Sequence, residues 1–512
     1  MDLDREVCDR ARRARDARFD GRFFIGVTST GVYCRPVCPA RSPKDENVRY
    51  FATAAAAAAA GFRPCLRCRP EAAPGSPAWL GTSSVVSRAL RLIGEGALDD
   101  HGADQLADRL GVTSRHLRRL FLKHLGATPL DVALTRRVHF AKKLLDETTL
   151  PMHEVARAAG FGSVRRFNGQ MQRTYRRTPS HLRRLARRRE PTDPECYEFQ
   201  LAFREPYDWE FVLDFLRMRA TPGVEEVSDG HYRRTIRYGG HIGHLDVTRS
   251  PDRPALRLEV RFPDPRALLV IVERVRRIFD LNADPSVIGR QLGVDPILAR
   301  PLAAHAGIRT PGAWDGFEVA VRAVLGQQVS VRAATTIAGR MAALFGTPID
   351  TPRALNRLFP TASELANAPV EHAGVMPTRA ATIRALARRV AEGAVRLDGS
   401  DDETAVRAAL TGIAGIGDWT ASYVAMRALN APDAFLPTDL IVRRAAGDIG
   451  SRELERRSEA WRPWRAYAVM LLWQAANDTP QTSRSPHVTR PSPAIVPRRR
   501  SSAGLVVAGG VD

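Results

Sequence analysis

Residues 410–444 read LTGIAGIGDWTASYVAMRALNAPDAFLPTDLIVRR. Apolar residues recur at helical spacing on both sides of Gly415-Ile416-Gly417, from Ala405 to Leu410 and from Trp419 to Leu429, which predicts a helix-hairpin-helix. Glycines let backbone N–H groups come close to a phosphate, and the second helix adds the positive end of its dipole. Gly415 and Gly417 are therefore expected to anchor DNA without sequence preference. A lone GxG says little, but here an acidic residue, Asp439, follows 22 positions after Gly417 on the FLPTD turn. Taken alone, Asp439 could equally cap a helix, and the aromatic residues near it could equally be core.

Working outward, the helical pattern begins at Trp314 and runs to about Asn477. Before it, residues 190–313 alternate in stretches such as HYRRTIRYG, HLDVTRS and ALRLEVRF, the signature of an antiparallel sheet in a small α+β domain. From Ser83 to about Arg188 the pattern is helical again. The fold class expected is multidomain and mainly α with one small α+β domain. Its units would be a zinc domain at 1–74, a helix-turn-helix pair at 80–188, the sheet domain at 195–313, the hairpin domain at 314–478 and a disordered basic tail at 479–512.

Length and charge agree with this. A chain of 512 residues suggests roughly three to five domains. With 44% hydrophobic and 26% charged residues and no run of 18 apolar residues, the composition excludes a membrane protein. The charged start MDLDREVCDR cannot act as a secretory signal, so a cytoplasmic protein is expected. The net charge is +21, of which +17 lies in residues 1–190 and the remaining +4 in the tail from Gln481 to Asp512. The polyanionic partner implied by this charge is met by the first third, and residues 191–480 are balanced.

Four of the six cysteines form a pattern: Cys34-x3-Cys38, 26 intervening residues, then Cys65-x2-Cys68. Two tight turns each present two thiols, and four thiolates suit one tetrahedral Zn2+ that would add folding energy to a domain of this size. Cys8 and Cys196 read as ordinary thiols, the alanines Ala54–Ala60 as one helix closed by Gly61, and Pro70–Pro77 as a linker ending the first domain.

The segments STGVYCRPVCPARSPKDENVRYF and AAGFRPCLRCRPE closely resemble the zinc domain of the Ada family of alkylation-response methyl sensors. By that resemblance Cys34 takes a methyl group irreversibly from a DNA methylphosphotriester, while Cys38, Cys65 and Cys68 remain as ligands. The chemistry is plausible, because a methylated phosphate has lost its charge and can approach an anionic sulfur.

Two segments after the zinc domain share one layout. In ADQLADRLGVTSRHLRRLF, Leu106, Ala107 and Leu110 precede Gly111, Ser114 is expected to cap the next helix, and Arg115, His116, Arg118 and Arg119 lie opposite Leu117, Leu120 and Phe121. In the second, Val155 and Ala156 precede Gly160 and Phe161, Ser163 is the cap, and Arg165, Arg166 and Asn168 face outward. Joined by a long helix from Pro129 to about Glu147, the pair is similar to the AraC-type DNA-binding domain, which follows the zinc domain in Ada proteins. Arg115, Arg118, Arg165 and Arg166 are the expected DNA contacts.

From PYDWEFVLDFLRMRA near residue 206 to about Trp473 the chain resembles the AlkA type of 3-methyladenine DNA glycosylase, of the helix-hairpin-helix superfamily. The resemblance implies Asp439 as the catalytic carboxylate and Trp419, Tyr423 and Trp473 as the base pocket. A base alkylated on a ring nitrogen is cationic, stacks well on aromatic faces and leaves readily. Lyase-type members carry Lys where this chain has Trp419, so no strand cleavage is expected. No cysteine follows Cys196, which argues against an iron–sulfur cluster and against the second methyltransferase domain of many Ada proteins. Where AlkA has an apolar wedge, LGQQVS offers Gln328, which is assigned to DNA contact with its role as wedge left open.

The sequence thus predicts a fused alkylation-damage protein: methyl sensor, transcription regulator and monofunctional glycosylase. Expected partners are double-stranded DNA, at damaged sites and at a promoter, and RNA polymerase; a monomer is expected. The alternatives are a regulator whose carboxyl half only binds DNA and a glycosylase whose zinc is purely structural.

Overall fold

The computed structural model describes residues 4–74, 84–99, 101–186, 195–351 and 353–478. The tail expected to be disordered, 479–512, lies outside the described residues.

The amino-terminal unit is a four-stranded sheet ordered Val48–Phe51, Phe24–Val27, Val32–Cys34, Arg63–Pro64, antiparallel except for its last pair. Phe23, Ile25, Val27 and Val48 form a small core with Cys8 and Ala11 of the first helix. The alanine run is a helix, Ala54–Ala59, capped by Thr53 and ended by Gly61 at φ +87°. The first residues of the expected linker are part of the folded unit, and 75–77 lie outside the described residues. Pro70–Ala72 form a 3-10 turn, and the Glu71 carboxylate is buried beside Lys142 at 3.7 Å and Arg69 at 3.5 Å. The ion cluster, closed by Arg69 on Asp146, pins this turn to the long helix Pro129–Glu147.

Each helix-turn-helix turns on a left-handed glycine, Gly111 at φ +69° and Gly160 at φ +75°. The second helices are Ser114–Leu125 and Val164–Tyr175. Ser163 caps the latter as expected, but Thr113 caps the former, accepting from the His116 N–H at 3.2 Å. Ser114 is already the first helical residue and turns its hydroxyl to Asp104. Pro129–Glu147 starts with a capping box formed by Thr128 and Asp131.

The second sheet has five antiparallel strands in the order Cys196–Ala202, Ala255–Arg261, His241–Arg249, His231–Tyr238, Glu225–Ser228. Leu256, Leu258 and Val260 point into its core and Arg257 and Glu259 out, the period-2 alternation of a half-covered sheet. The chain from Gly316 to Asp478 is helical.

The units are not beads on a string. One buried cluster runs from Val138 through the second sheet to Leu472. Polar contacts bind the zinc unit to its neighbours: Tyr33 Oη lies 2.8 Å from His139 Nε2, Arg204 Nε donates to Asp20 O at 3.1 Å, and Arg22 pairs with Asp284 while donating to Ser286 Oγ at 2.8 Å. Asp284 is fully buried and Arg22 nearly so. Removing one partner strands the other charge away from water, so Asp284→Asn is expected to cost about 3–5 kcal/mol, seen as an earlier first transition in urea unfolding.

Candidate active site and metal centre

The hairpin joins the helices Glu403–Thr411 and Asp418–Ala428. Gly415 has φ +90°, and a Cβ there would lie 2.3 Å from Thr382 Oγ1, so the turn itself requires glycine. Thr382 Oγ1 in turn donates to Ala414 O at 2.9 Å. Gly417 is different: it is the N-cap of the second helix, makes no side-chain cap, and a Cβ would meet nothing within 4 Å. The first N–H groups of that helix therefore face outward, where an anion can approach.

Asp439 ends the FLPTD turn and caps the helix Leu440–Ala445, accepting from the Val442 N–H at 2.9 Å. It also accepts from two indoles: Trp419 Nε1 at 2.9 Å on Oδ2 and Trp473 Nε1 at 3.2 Å on Oδ1. Asp439 thus caps a helix and at the same time accepts from two indoles of the aromatic cluster. Trp419 and Tyr423, one turn apart on one helix, stack at 5.4 Å and 7°, and Trp473, from the last helix Arg465–Asp478, lies 6.3 Å from Tyr423. All four predicted residues converge, and all four are half-buried.

Sequence reasoning missed three members of this cluster. Phe215, on the helix Trp209–Arg217, stacks on Trp473 at 6.5 Å and 21°. Arg219 Cζ lies 3.8 Å from the Phe215 ring centre, and Arg427 Nη1 donates to the Tyr423 hydroxyl at 3.0 Å. Phe215 and Arg219 stand four residues apart in the quoted DFLRMRA, yet nothing local says that this segment meets residues 200 positions later. Burial would push the Tyr423 phenol up, but Arg427, Arg219 and Arg322 outweigh it and bring it down to about 8.

Gln328 is exposed at φ +55° in the loop before the helix Val331–Phe345. Its neighbour Gln327 ties that loop to the hairpin, donating to Gly415 O at 2.9 Å and Thr420 Oγ1 at 3.0 Å. Arg115, Arg118, Arg165 and Arg166 are all exposed on the two second helices.

The sulfur atoms of Cys34, Cys38, Cys65 and Cys68 all lie within 4.8 Å of one another. Four thiolates about 2.3 Å from one ion fit inside that spread, so the set suits a single Zn2+. Backbone bonds close the two turns, Cys38 N–H donating to Arg35 O at 3.1 Å and Arg69 N–H to Cys65 O at 3.1 Å, and Cys65 N–H donating to Tyr33 O at 3.0 Å joins them. Arg35 N–H reaches Cys68 Sγ at 3.3 Å, while its guanidinium pairs with Asp20 and donates to Cys68 O at 3.0 Å.

A hairpin with a carboxylate among aromatic side chains, in one chain with a four-cysteine cluster and a helix-turn-helix pair, defines a DNA-acting repair and regulatory class. Residues 321–465 match the HhH-GPD superfamily base excision DNA repair protein family, 198–315 the AlkA N-terminal domain, 106–185 a helix-turn-helix domain and 7–71 the metal binding domain of Ada. The chain is 44% identical over 481 residues to a probable bifunctional transcriptional activator/DNA repair enzyme AlkA of Mycobacterium tuberculosis (strain ATCC 25618 / H37Rv), covering 92% of this chain and 97% of that one. It belongs to that family of bifunctional transcriptional activator/DNA repair enzymes. DNA-3-methyladenine glycosylase 2 of Escherichia coli (strain K12) is 34% identical over 281 residues, 54% of this chain and 96% of its own length. The bifunctional transcriptional activator/DNA repair enzyme Ada of the same organism is 41% identical over 116 residues, 23% of this chain and 31% of its own. Among the described residues no helix is long and apolar enough to cross a membrane.

Proposed function

We propose that the protein excises alkylated bases from double-stranded DNA through Asp439 and accepts methyl groups from DNA methylphosphotriesters on Cys34. The observation that carries the first activity is the Asp439 carboxylate held by two pocket indoles. A cationic base stacks on Trp419, Tyr423 and Trp473 by cation–π attraction. As its bond to the sugar breaks, Asp439 stabilises the positive charge growing on C1′ and orients the attacking water, leaving an abasic site. Gly415 and Gly417 hold the DNA backbone, and Gln328, on the loop bound to the hairpin, enters the gap beside the extruded base. With no lysine in place of Trp419, the strand is not cut.

In the other half, Cys34, Cys38, Cys65 and Cys68 would hold Zn2+, which would supply the positive charge that keeps the Cys34 sulfur as thiolate at neutral pH. The Cys34 sulfur attacks the methyl carbon, the carbon–oxygen bond breaks, and its electron pair restores an ordinary phosphodiester anion. S-methylation removes one negative charge from a DNA-facing surface, which raises affinity for a promoter read by Arg115, Arg118, Arg165 and Arg166. In this reading, residues 1–74, 80–188, 195–313 and 314–478 are the functional units of a cytoplasmic monomer that recruits RNA polymerase.

The test is incubation with methylated duplex DNA, followed by chromatography of released bases and intact mass of the protein. Free alkylpurines together with a gain of one methyl group are expected. Bases without mass gain would leave the zinc purely structural, and mass gain without bases would reduce the carboxyl half to a DNA-binding module.

A further inference from the structure

The hairpin and the loop that carries Gln328 are bound to each other and to a third element, the helix Pro377–Ala391. Gln327 is half-buried beside the exposed Gln328, and its side-chain amide is committed to the hairpin, Nε2 donating to Gly415 O at 2.9 Å and to Thr420 Oγ1 at 3.0 Å. Its backbone oxygen accepts from Arg379 Nη2. Three residues on from Arg379, the buried Thr382 donates through Oγ1 to Ala414 O at 2.9 Å, on the hairpin turn. Loop, hairpin and helix thus close a ring, and Gln327 is fixed through both its side chain and its backbone.

What the ring holds is the residue that follows. Gln328 stands at φ +55°, a left-handed backbone that a residue with a Cβ keeps only where its surroundings impose it. The Gln327 carbonyl and the Gln328 N–H share one planar peptide unit, so a donor on that oxygen sets the direction in which Gln328 projects.

We propose that Gln327 and Arg379 are positioning residues for extrusion of the damaged base: acting through Gln328, they hold the gap-filling side chain in fixed register with the phosphate-gripping hairpin, so that gripping the strand and filling the gap occur together. This rests on the hairpin as the grip and on Gln328 as the filler of the gap. A base leaves the stack at the cost of its pairing and stacking, and a side chain entering the gap offsets part of that cost. The offset depends on placement, since a shift of about 1 Å can cost on the order of a hundredfold in rate. Extrusion is cheaper for a base that is already mismatched. Loss of register therefore has a signature that a loosened pocket lacks: it follows how firmly the base is paired, whereas a disturbed Trp419, next to Thr420, slows every substrate alike.

The experiment uses the full chain and an oligonucleotide with a single adenine, methylated as a duplex by dimethyl sulfate and then annealed to a strand with thymine or with cytosine opposite that adenine. Single-turnover release of 3-methyladenine is followed from each duplex. Gln327→Met and Arg379→Met should lose on the order of tenfold or more opposite thymine and less than about threefold opposite cytosine. Arg379→Lys, which keeps a donor, should recover part of the rate, and melting of the variants should match the unmodified chain. Equal losses on the two duplexes would overturn the proposal, as would unchanged rates on both. Gln328→Ala, measured beside them, separates the proposal from its premise: no loss opposite thymine would defeat Gln328 as the filler of the gap, and the proposal with it. Release of no base by the unmodified protein would instead defeat the base-excision reading itself.

Discussion

Asp439→Asn is expected to bind abasic-analogue DNA nearly as well as the unmodified protein and to lose on the order of a hundredfold or more in single-turnover excision of 3-methyladenine, because a preorganised negative charge is deleted. The geometry adds a detail. Three N–H donors converge on two carboxylate oxygens, Val442 and Trp473 on Oδ1 and Trp419 on Oδ2. Asparagine has one acceptor oxygen, so its amide N–H2 must face an indole N–H, and one tryptophan loses its anchor. Some loosening of the pocket should therefore accompany the charge loss, and Trp419 fluorescence would report it. Trp473→Ala differs in kind: stacking felt before the bond breaks is lost, so affinity for damaged DNA and rate should fall together. Near-normal excision by Asp439→Asn would sink the catalytic assignment.

Cys34→Ala should abolish methyl uptake from phosphotriester DNA and weaken zinc retention, since one sulfur is both ligand and nucleophile. Cys34 pairs with Ile25 in the sheet, and the neighbouring Tyr33, bonded to His139, ties that strand to the long helix between the two helix-turn-helix units. Excision should persist in this variant, because Cys34 packs against the small core of the zinc unit, whereas Trp419, Tyr423 and Trp473 pack against the large one. Peptide mass mapping of the methylated protein should find the methyl on Cys34; finding it on Cys38, Cys65 or Cys68 would reassign the acceptor.

Much of this site could be read locally. A turn that demands glycine, a period of 3.6 or 2, and thiols spaced to share an ion are each dictated within a few residues, which is why the hairpin, the second sheet and the four-cysteine centre match their expected places. Capping is finer-grained: Thr113 and Ser114 are adjacent candidates, and in the fold the Thr113 hydroxyl caps while that of Ser114 turns to Asp104 on the preceding helix.

Between residues far apart, the sequence was silent. That Phe215 and Arg219 reach Trp473 and Tyr423, and that Arg22 buries itself against Asp284, depends on packing between segments of the chain that are more than 200 residues apart. The amino-acid sequence by itself determined which elements form and which chemistry each can hold, because hydrogen-bonding period, glycine conformation and ligand spacing are local properties. The tertiary structure alone decided which side chains share a pocket and which charges lose their water, because burial belongs to the packed whole and no single segment carries it.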